Sequence, residues 1–376
     1  MKFPKSLQNK LYVREENNAL RSLTTSQNLM DFATNDYLGF SKNEEIFNKV
    51  HQLLLNKKII QNGATGSRLL TGNHELFQET ESFIAQFHQS DCALLFNSGY
   101  DANVGFFSAV PQRNDIILYD ELCHASIRDG IQLSLAKSYK FLHNDLTDLE
   151  TLLLKFKLEG NQIYIVTESV FSMDGDSPDL ENIVTLSEKH NALLVVDEAH
   201  ALAVLGNNGE GLVQELQLQD KIFARVMTFG KGLGCHGAAI LGSIQLKQYL
   251  INFCRSFIYT TALPPHAVAT ILVAYQELNL AQDRINKLKE NSKYFDKNCS
   301  NILGYISNNS SIKSIVISGN SKVKETAQCL QNNGFDVKPI LSPTVPEGQE
   351  RLRFCLHSYN SKDEIKRVLE LLYTFV

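Results

Sequence analysis

Five apolar runs in the middle of the chain each end in residues able to do chemistry. Cys92–Phe96 is followed by Asn97-Ser98-Gly99-Tyr100, whose backbone N–H groups and hydroxyls suit a phosphate. Asp115–Tyr119 leads to His124, and Gln162–Thr167 leads to Glu168 and Ser172. Ala192–Val196 leads to Asp197 and His200, and Arg225–Phe229 carries Thr228 and leads to Lys231. Taken singly, each residue has an ordinary explanation. Asp197 could cap a helix, His124 could be a packed or solvated histidine, and Lys231 could be a surface lysine in a turn. Their joint order points further. An amine, a buried acid, an imidazole and small hydroxyl donors are what pyridoxal phosphate (PLP) requires: a lysine for its aldehyde, an acid for its ring nitrogen and donors for its phosphate.

The elements that must position these residues alternate. His74–Gln89 places Leu76, Phe77, Phe83, Ile84 and Phe87 at helical spacing, and Leu146–Phe156 and Leu180–His190 repeat the pattern. With Ala238–Gly242 as a further strand, strands separated by helices predict an α/β domain with a mostly parallel sheet. Loops at the carboxyl ends of such strands are where ligands bind. Around Pro264-Pro265 the texture changes. A helical stretch from Ala267 to about Cys299 leads to a smaller unit with strands at Ser314–Ser318 and Arg351–Leu356 and a helix at Lys322–Asn332. Ser361 and Glu364 form a capping box for a last helix. The expected organisation is an N-terminal arm over 1–40, a large domain over 41–265 and a connecting helix with a small α/β domain over 266–376.

Composition narrows the classes. The 376 residues carry 36 Lys+Arg against 41 Asp+Glu, a net charge of −5, which argues against a general nucleic-acid binder. The seven cysteines include no Cys-x-x-Cys pair, so neither a zinc motif nor a disulfide framework is expected, and no metal is. The opening residues lack a signal-peptide apolar core, and no run approaches the ~20 apolar residues of a membrane helix, so a cytoplasmic protein is expected. Gly232-Leu-Gly-Cys-His-Gly237 imitates a dinucleotide fingerprint but precedes a strand instead of opening a helix. Asp197-Glu-Ala-His200 imitates a helicase box but lacks the upstream phosphate loop G-x-x-x-x-G-K-[ST]. Gly63–Gly72 reads as a glycine-rich loop before a helix, with a phosphate cradle as the other possibility.

Six stretches then carry a resemblance: Thr34-Asn-Asp-Tyr-Leu-Gly39, Val170-Phe-Ser-Met-Asp-Gly-Asp176, Val196-Asp-Glu-Ala-His200, Thr228-Phe-Gly-Lys-Gly232, Tyr259-Thr-Thr-Ala-Leu-Pro-Pro265, and Pro343-Thr-Val-Pro-Glu-Gly348 running into Arg351-Leu-Arg353. Spread over nearly the whole chain, they resemble the α-oxoamine synthases, PLP enzymes of the aspartate-aminotransferase fold (fold type I). The resemblance implies that Lys231 holds PLP as a Schiff base, Asp197 pairs with the ring nitrogen, His124 stacks on the ring and His200 bonds its hydroxyl. It implies that Ser98, Gly99, Tyr100 and Thr228 surround the phosphate, that Glu168 and Ser172 line the site, and that Thr261 reaches the site of a second subunit in a homodimer. Arg353 would clamp the amino-acid carboxylate, Asn35 would lie beside the substrate and Arg21 would reach toward the acyl group. The implied reaction is decarboxylative condensation of an amino acid, L-alanine being expected, with an acyl thioester on CoA or acyl-carrier protein. A non-catalytic subunit of this fold should lack the lysine, and Lys231 is present. One departure stands out: the family usually has Asp-Asp-Ala-His-Gly-x-Gly, whereas this chain has Asp197-Glu198-Ala199-His200-Ala201-Leu202-Ala203. Arg68, in the Gly63–Gly72 loop, is either a solvated arginine or a contact for CoA phosphates.

Overall fold

Strands made of unbroken apolar runs can only be buried on both faces, and the larger part of the protein is built that way. The computed structural model describes residues 3–23, 28–156 and 161–375. Its seven-stranded sheet contains, in chain order, β1 (Cys92–Phe96), β2 (Ile116–Asp120), β3 (Lys137–Phe141), β4 (Ile163–Glu168), β5 (Leu193–Asp197), β6 (Ala224–Thr228) and β7 (Ala238–Gly242). Their spatial order is β1-β7-β6-β5-β4-β2-β3. All are parallel except β7, which runs antiparallel between β1 and β6. The mostly parallel α/β sheet expected from the sequence is present.

Alternate side chains feed two cores, as the pleat requires. Ile117, Tyr164, Val166, Val195 and Val226 pack on one face with Ala102, Phe106 and Ile127 from the helices Gly99–Ala109 and Ala125–Leu133. Ile116, Leu118, Ile163, Ile165, Leu194 and Val196 pack on the other face with Leu149, Leu153, Leu180 and Ile183 from Leu146–Phe156 and Leu180–Lys189. Fully burying each such aliphatic side chain contributes about 1.5–3 kcal/mol. The Gly232–Gly237 segment is the turn between β6 and β7, with Phe229 N–H on Gly237 O (3.0 Å), and opens no helix.

The chain divides into two units: a larger one of Asn35–Ser172 and Asp176–Lys287, and a smaller one of Met1–Thr34, Met173–Gly175 and Leu288–Val376. Residues 266–287, expected with the small C-terminal domain, thus group with the larger unit, and the N-terminal segment through Thr34 groups with the smaller. Residues 1–2 and 24–27 of the expected arm lie outside the described residues. The single helical stretch expected from Ala267 to Cys299 is two helices, Pro265–Leu278 and Gln282–Cys299. The break is a tight turn in which Leu280 N–H bonds Glu277 O and Ala281 N–H bonds Leu278 O, with no proline or glycine to mark it.

In the smaller unit an antiparallel sheet runs Lys338–Ile340, Arg351–Cys355, Ile312–Val316, Tyr305–Ile306. It carries the helices Asn320–Asn332 and Lys362–Leu372, the latter opened by the Ser361/Glu364 capping box. Met30–Asp31 pairs in parallel with Phe335–Asp336. All seven cysteines are free thiols.

Candidate active site

The carboxyl edge of the larger sheet gathers the chemistry. Asp197 ends β5, is 6% exposed, and lies in register beside Glu168 at the end of β4. Its carboxylate accepts from Ala199 N–H (2.9 Å) and from Asn103 Nδ2 (2.7 Å). Asn103, buried in the helix Gly99–Ala109, also donates to Ser126 Oγ (3.0 Å), which in turn contacts His124 Nδ1 (2.7 Å). A continuous hydrogen-bonded path therefore runs from the acid to the imidazole. Neither Asn103 nor Ser126 was anticipated. The available signal was an amide between Ala102 and Val104, on a helix whose other inward positions are apolar or glycine.

Glu168 is buried, and burial first, then the charge of Asp197, raise its carboxyl to about 8 against the opposing pull of Lys231. It accepts from His124 N–H (2.5 Å), tying the loop after β2 to the end of β4.

Lys231 lies in the turn after β6, and its Nζ is 2.8 Å from His200 Nε2. The other ring nitrogen, His200 Nδ1, is 2.7 Å from the hydroxyl of Tyr37, which is fully buried. Tyr37 belongs to the Thr34–Gly39 stretch, and the sequence suggested no role for it. An amine held against an imidazole can exchange a proton with it, and a buried carboxylate can hold a cationic N–H.

The loop after β1 becomes a helix N-terminus. Ser98 caps Gly99–Ala109, its hydroxyl accepting from Asp101 N–H (3.1 Å) and donating to Asp101 Oδ2 (2.8 Å). Gly99 is pressed against Thr228, and a Cβ at position 99 would overlap Thr228 Oγ1. The first turn of the helix and the end of β6 thus form one cradle, with backbone N–H groups suited to an anion. Tyr100 turns its hydroxyl to Asp129 Oδ2 (2.7 Å). Asn97 Nδ2 donates to Thr260 Oγ1 (3.0 Å) and Thr261 O (2.9 Å), fixing Thr261 with its side chain exposed.

Ser172 sits in the loop after β4, closed by Phe171 N–H on Asp176 O (2.9 Å). His143 clasps that loop, with Nδ1 2.9 Å from Asp120 and Nε2 2.8 Å from Asp176. Asn35 opens the larger unit, and its Oδ1 accepts from the Tyr37 hydroxyl (3.3 Å). Arg353 and Arg21 belong to the smaller unit. Arg353 lies mid-strand opposite Ser314 and Lys338, and Arg21 donates to Thr344 Oγ1 (3.2 Å). The Arg68 side chain is largely buried, unlike the solvated arginine expected. It pairs with buried Glu81, and its guanidinium lies 4.0 Å over the Phe77 ring. Gly63–Gly72 is a loop with Leu69 and Leu70 exposed, anchored by Ala262 N–H on Gly66 O (3.0 Å).

These features agree with comparisons to known proteins. A family profile described as aminotransferase class I and II matches residues 27–372. The chain is 39% identical to the 8-amino-7-oxononanoate synthase of Emericella nidulans, over 99% of this chain and 95% of that protein. The solved 8-amino-7-oxononanoate synthase of Francisella tularensis is similar with a TM-score of 0.79 and 30% identity, covering 93% of this chain and 99% of that one. The serine palmitoyltransferase of Sphingomonas wittichii gives a TM-score of 0.88 at 26% identity, covering 99% and 96%. A structure of SPT with its PLP internal aldimine gives 0.86 at 27% identity, covering 91% and 86%. By its match to the family profile and its near full-length similarity to these relatives, the chain belongs to the class I and II aminotransferase family.

Proposed function

We propose that this protein is a PLP-dependent 8-amino-7-oxononanoate synthase. It would condense L-alanine with pimeloyl-CoA, or the corresponding acyl-carrier-protein thioester, and release 8-amino-7-oxononanoate, the free thiol and CO2. The observation that carries this reading is the 39% identity to such a synthase across 99% of the chain. The donor set fits the cofactor. Asp197 is a buried carboxylate with lone pairs left after two donors, and Gly99 leaves the N-terminal cradle open beside Thr228.

When bound, PLP supplies an electron sink for charge developing at the substrate Cα. Lys231 would hold it covalently, Asp197 would keep its ring nitrogen protonated, His124 would cover one face and His200 would meet its hydroxyl. Ser98, Gly99, Tyr100 and Thr228 would take the phosphate, with Glu168 and Ser172 as lining. Lys231 would then move the Cα proton, aided by the imidazole at 2.8 Å. Arg353 would take the substrate carboxylate, Asn35 would lie beside the amino acid, and Arg21 would face the acyl chain. Thr261, exposed and braced by Asn97, would serve the second site of a homodimer in the cytoplasm.

A second reading has its own support. The shape agrees better with serine palmitoyltransferase, at a TM-score of 0.88, than with the Francisella synthase at 0.79. Glycine C-acetyltransferase and 5-aminolevulinate synthase share the same chemistry. One assay separates them. L-alanine, L-serine or glycine is added to PLP-loaded protein with pimeloyl-, palmitoyl-, acetyl- or succinyl-CoA, and thiol release is followed. L-alanine with pimeloyl-CoA should be fastest, and Lys231→Ala should lose at least about a thousandfold in turnover while keeping its circular dichroism. Preference for L-serine with palmitoyl-CoA would transfer the assignment, and no visible cofactor band at all would end it.

A further inference from the structure

We propose that Asn103 is a positioning residue whose amide fixes His124 as a neutral imidazole with its ring hydrogen on Nε2. The proposal deepens the functional reading above and rests on His124 and Asp197 being the groups that meet the cofactor. Four contacts carry it. Asn103 Nδ2 lies 2.7 Å from Asp197 Oδ2 and 3.0 Å from Ser126 Oγ. His124 Nδ1 lies 2.7 Å from that Oγ and 3.2 Å from the Ser126 backbone nitrogen. All four residues lie in the larger unit, and Asn103, Ser126 and Asp197 are buried.

The direction of each bond follows from two fixed ends. At one end, an ionised carboxylate can only accept, so the amide turns its NH2 group toward Asp197. That orientation leaves Asn103 Oδ1 buried with no hydrogen-bond partner among the described residues, a loss that turning the amide over would avoid if the carboxylate were not there. The second amide hydrogen goes to Ser126 Oγ. At the other end, a backbone N–H can only donate, and that of Ser126 meets His124 Nδ1, where His124 caps the helix Ala125–Leu133. Nδ1 must therefore present its lone pair, and the ring hydrogen sits on Nε2. Between the two ends, Ser126 Oγ accepts from the amide and turns its own hydrogen to Nδ1.

A proton arriving at Nδ1 would meet the Ser126 N–H head-on and would displace the hydroxyl hydrogen from its acceptor. The relay thus opposes the imidazolium. Burial opposes it too, the charges of Asp197 and Asp129 favour it, and those of Lys231 and Arg128 work against it. Glu168, on the neighbouring strand, accepts from the His124 backbone N–H. Held in this way, His124 offers a hydrogen and not a lone pair on Nε2. It can donate there to a substrate oxygen, and it cannot take a substrate proton at that atom.

The test is NMR of the full-length protein, isotopically labelled at its histidine ring nitrogens and followed across a pH series. The His124 signals are those missing from His124→Gln. Above its midpoint the wild-type ring should carry hydrogen on Nε2 and none on Nδ1. Ser126→Ala removes a donor to Nδ1, and Asn103→Leu frees the Ser126 oxygen to accept from it. Each should raise the midpoint by about half to one pH unit, or roughly three- to tenfold more imidazolium at a fixed pH above it. Added to Ser126→Ala, Asn103→Leu should raise it no further, because the amide acts on the ring through that hydroxyl. An equal rise in both backgrounds, as loosened packing would give, overturns the proposal. An amide that served only to keep Asp197 ionised would give the reverse sign, since that charge favours the imidazolium. A wild-type ring with its hydrogen on Nδ1, or a folded Asn103→Leu with an unchanged or lowered midpoint, therefore overturns it as well. Should Asn103→Leu not fold, an unchanged or lowered midpoint in Ser126→Ala has the same force. Failure of the functional reading is separately visible, as wild-type protein that develops no absorbance band with PLP.

Discussion

Ala203 adopts φ +68°, the left-handed region that side chains other than glycine rarely enter, and its N–H is bound to Gly209 O (2.7 Å). It closes the Asp197–Ala203 stretch in which this sequence departs from the pattern it resembles. The left-handed conformation costs about 1–2 kcal/mol for a residue with a Cβ, part of which glycine gives back through its larger unfolded-state entropy. Ala203→Gly should therefore stabilise the protein by about 0.5–1 kcal/mol in denaturant unfolding, although burying a methyl group normally favours alanine. Gly99 presents the opposite case. Gly99→Ala would drive its methyl into Thr228 Oγ1 and should weaken PLP binding at least about tenfold, read by fluorescence titration. Lys231, Asp197, His200 and Glu168 were legible because strand ends announce themselves. Tyr37, Asn103 and Ser126 were not, since their significance lies in partners far away in sequence, at separations of 163, 94 and 23 residues.

Two side-chain clasps hold the elements that carry the site. Under the β5–β6 edge, fully buried Glu198 accepts from Arg225 Nε (2.8 Å) and from Val213 N–H (3.0 Å), while Arg225 also reaches His88 O (3.2 Å). Removing one member strands the other charge, so Arg225→Met should cost about 3–5 kcal/mol in denaturant unfolding. Replacing both charges, with Glu198→Leu added, should recover much of that loss. The second clasp is His143. Burial alone would lower its affinity for a proton, but hydrogen bonds and charges from Asp120 and Asp176 outweigh it and raise the group to about 9. A histidine raised from about 6.5 stabilises the fold fully below about pH 6.5 and loses that contribution as pH climbs through about 9. Because the ring is partly open to water, the wild type should lose about 1–2 kcal/mol over that interval through this group. His143→Gln should flatten that part of the profile. Glu168, raised from 4.5 to about 8, contributes with the same sign over a lower, overlapping window, so only the difference between the two proteins reports on His143. Helices and buried strands around these clasps were readable from periodicity. The edge strand β3 (Lys-Ser-Tyr-Lys-Phe) was not, because an edge tolerates charge and shows no apolar run.

For the molecule as a whole, the decisive pattern was the repetition of apolar strand, polar tip and amphipathic helix, which is set by burial on both faces and survives any local ambiguity. In a chain of net charge −5, the N–H groups at the start of the helix Gly99–Ala109 are a local feature suited to an anion. The unit boundaries were less visible, since the segment through Thr34 reaches its partner strand at Phe335–Asp336 across almost the full sequence. The antiparallel β7 has a further consequence for synthesis. Among the described residues β1 pairs with one strand, β7, 142 residues downstream (238 − 96), so on a ribosome adding about 5–20 residues each second it waits roughly 7–28 s for that partner. Nascent chains stalled before residue 238 should be cut readily by protease around β1 and should recruit chaperones. Those stalled after α/β closure at residue 242 has cleared the exit tunnel should resist. For this protein the vulnerable period is set by the position of a single reversed strand, and slowing translation just upstream of it would lengthen the exposure without changing a residue.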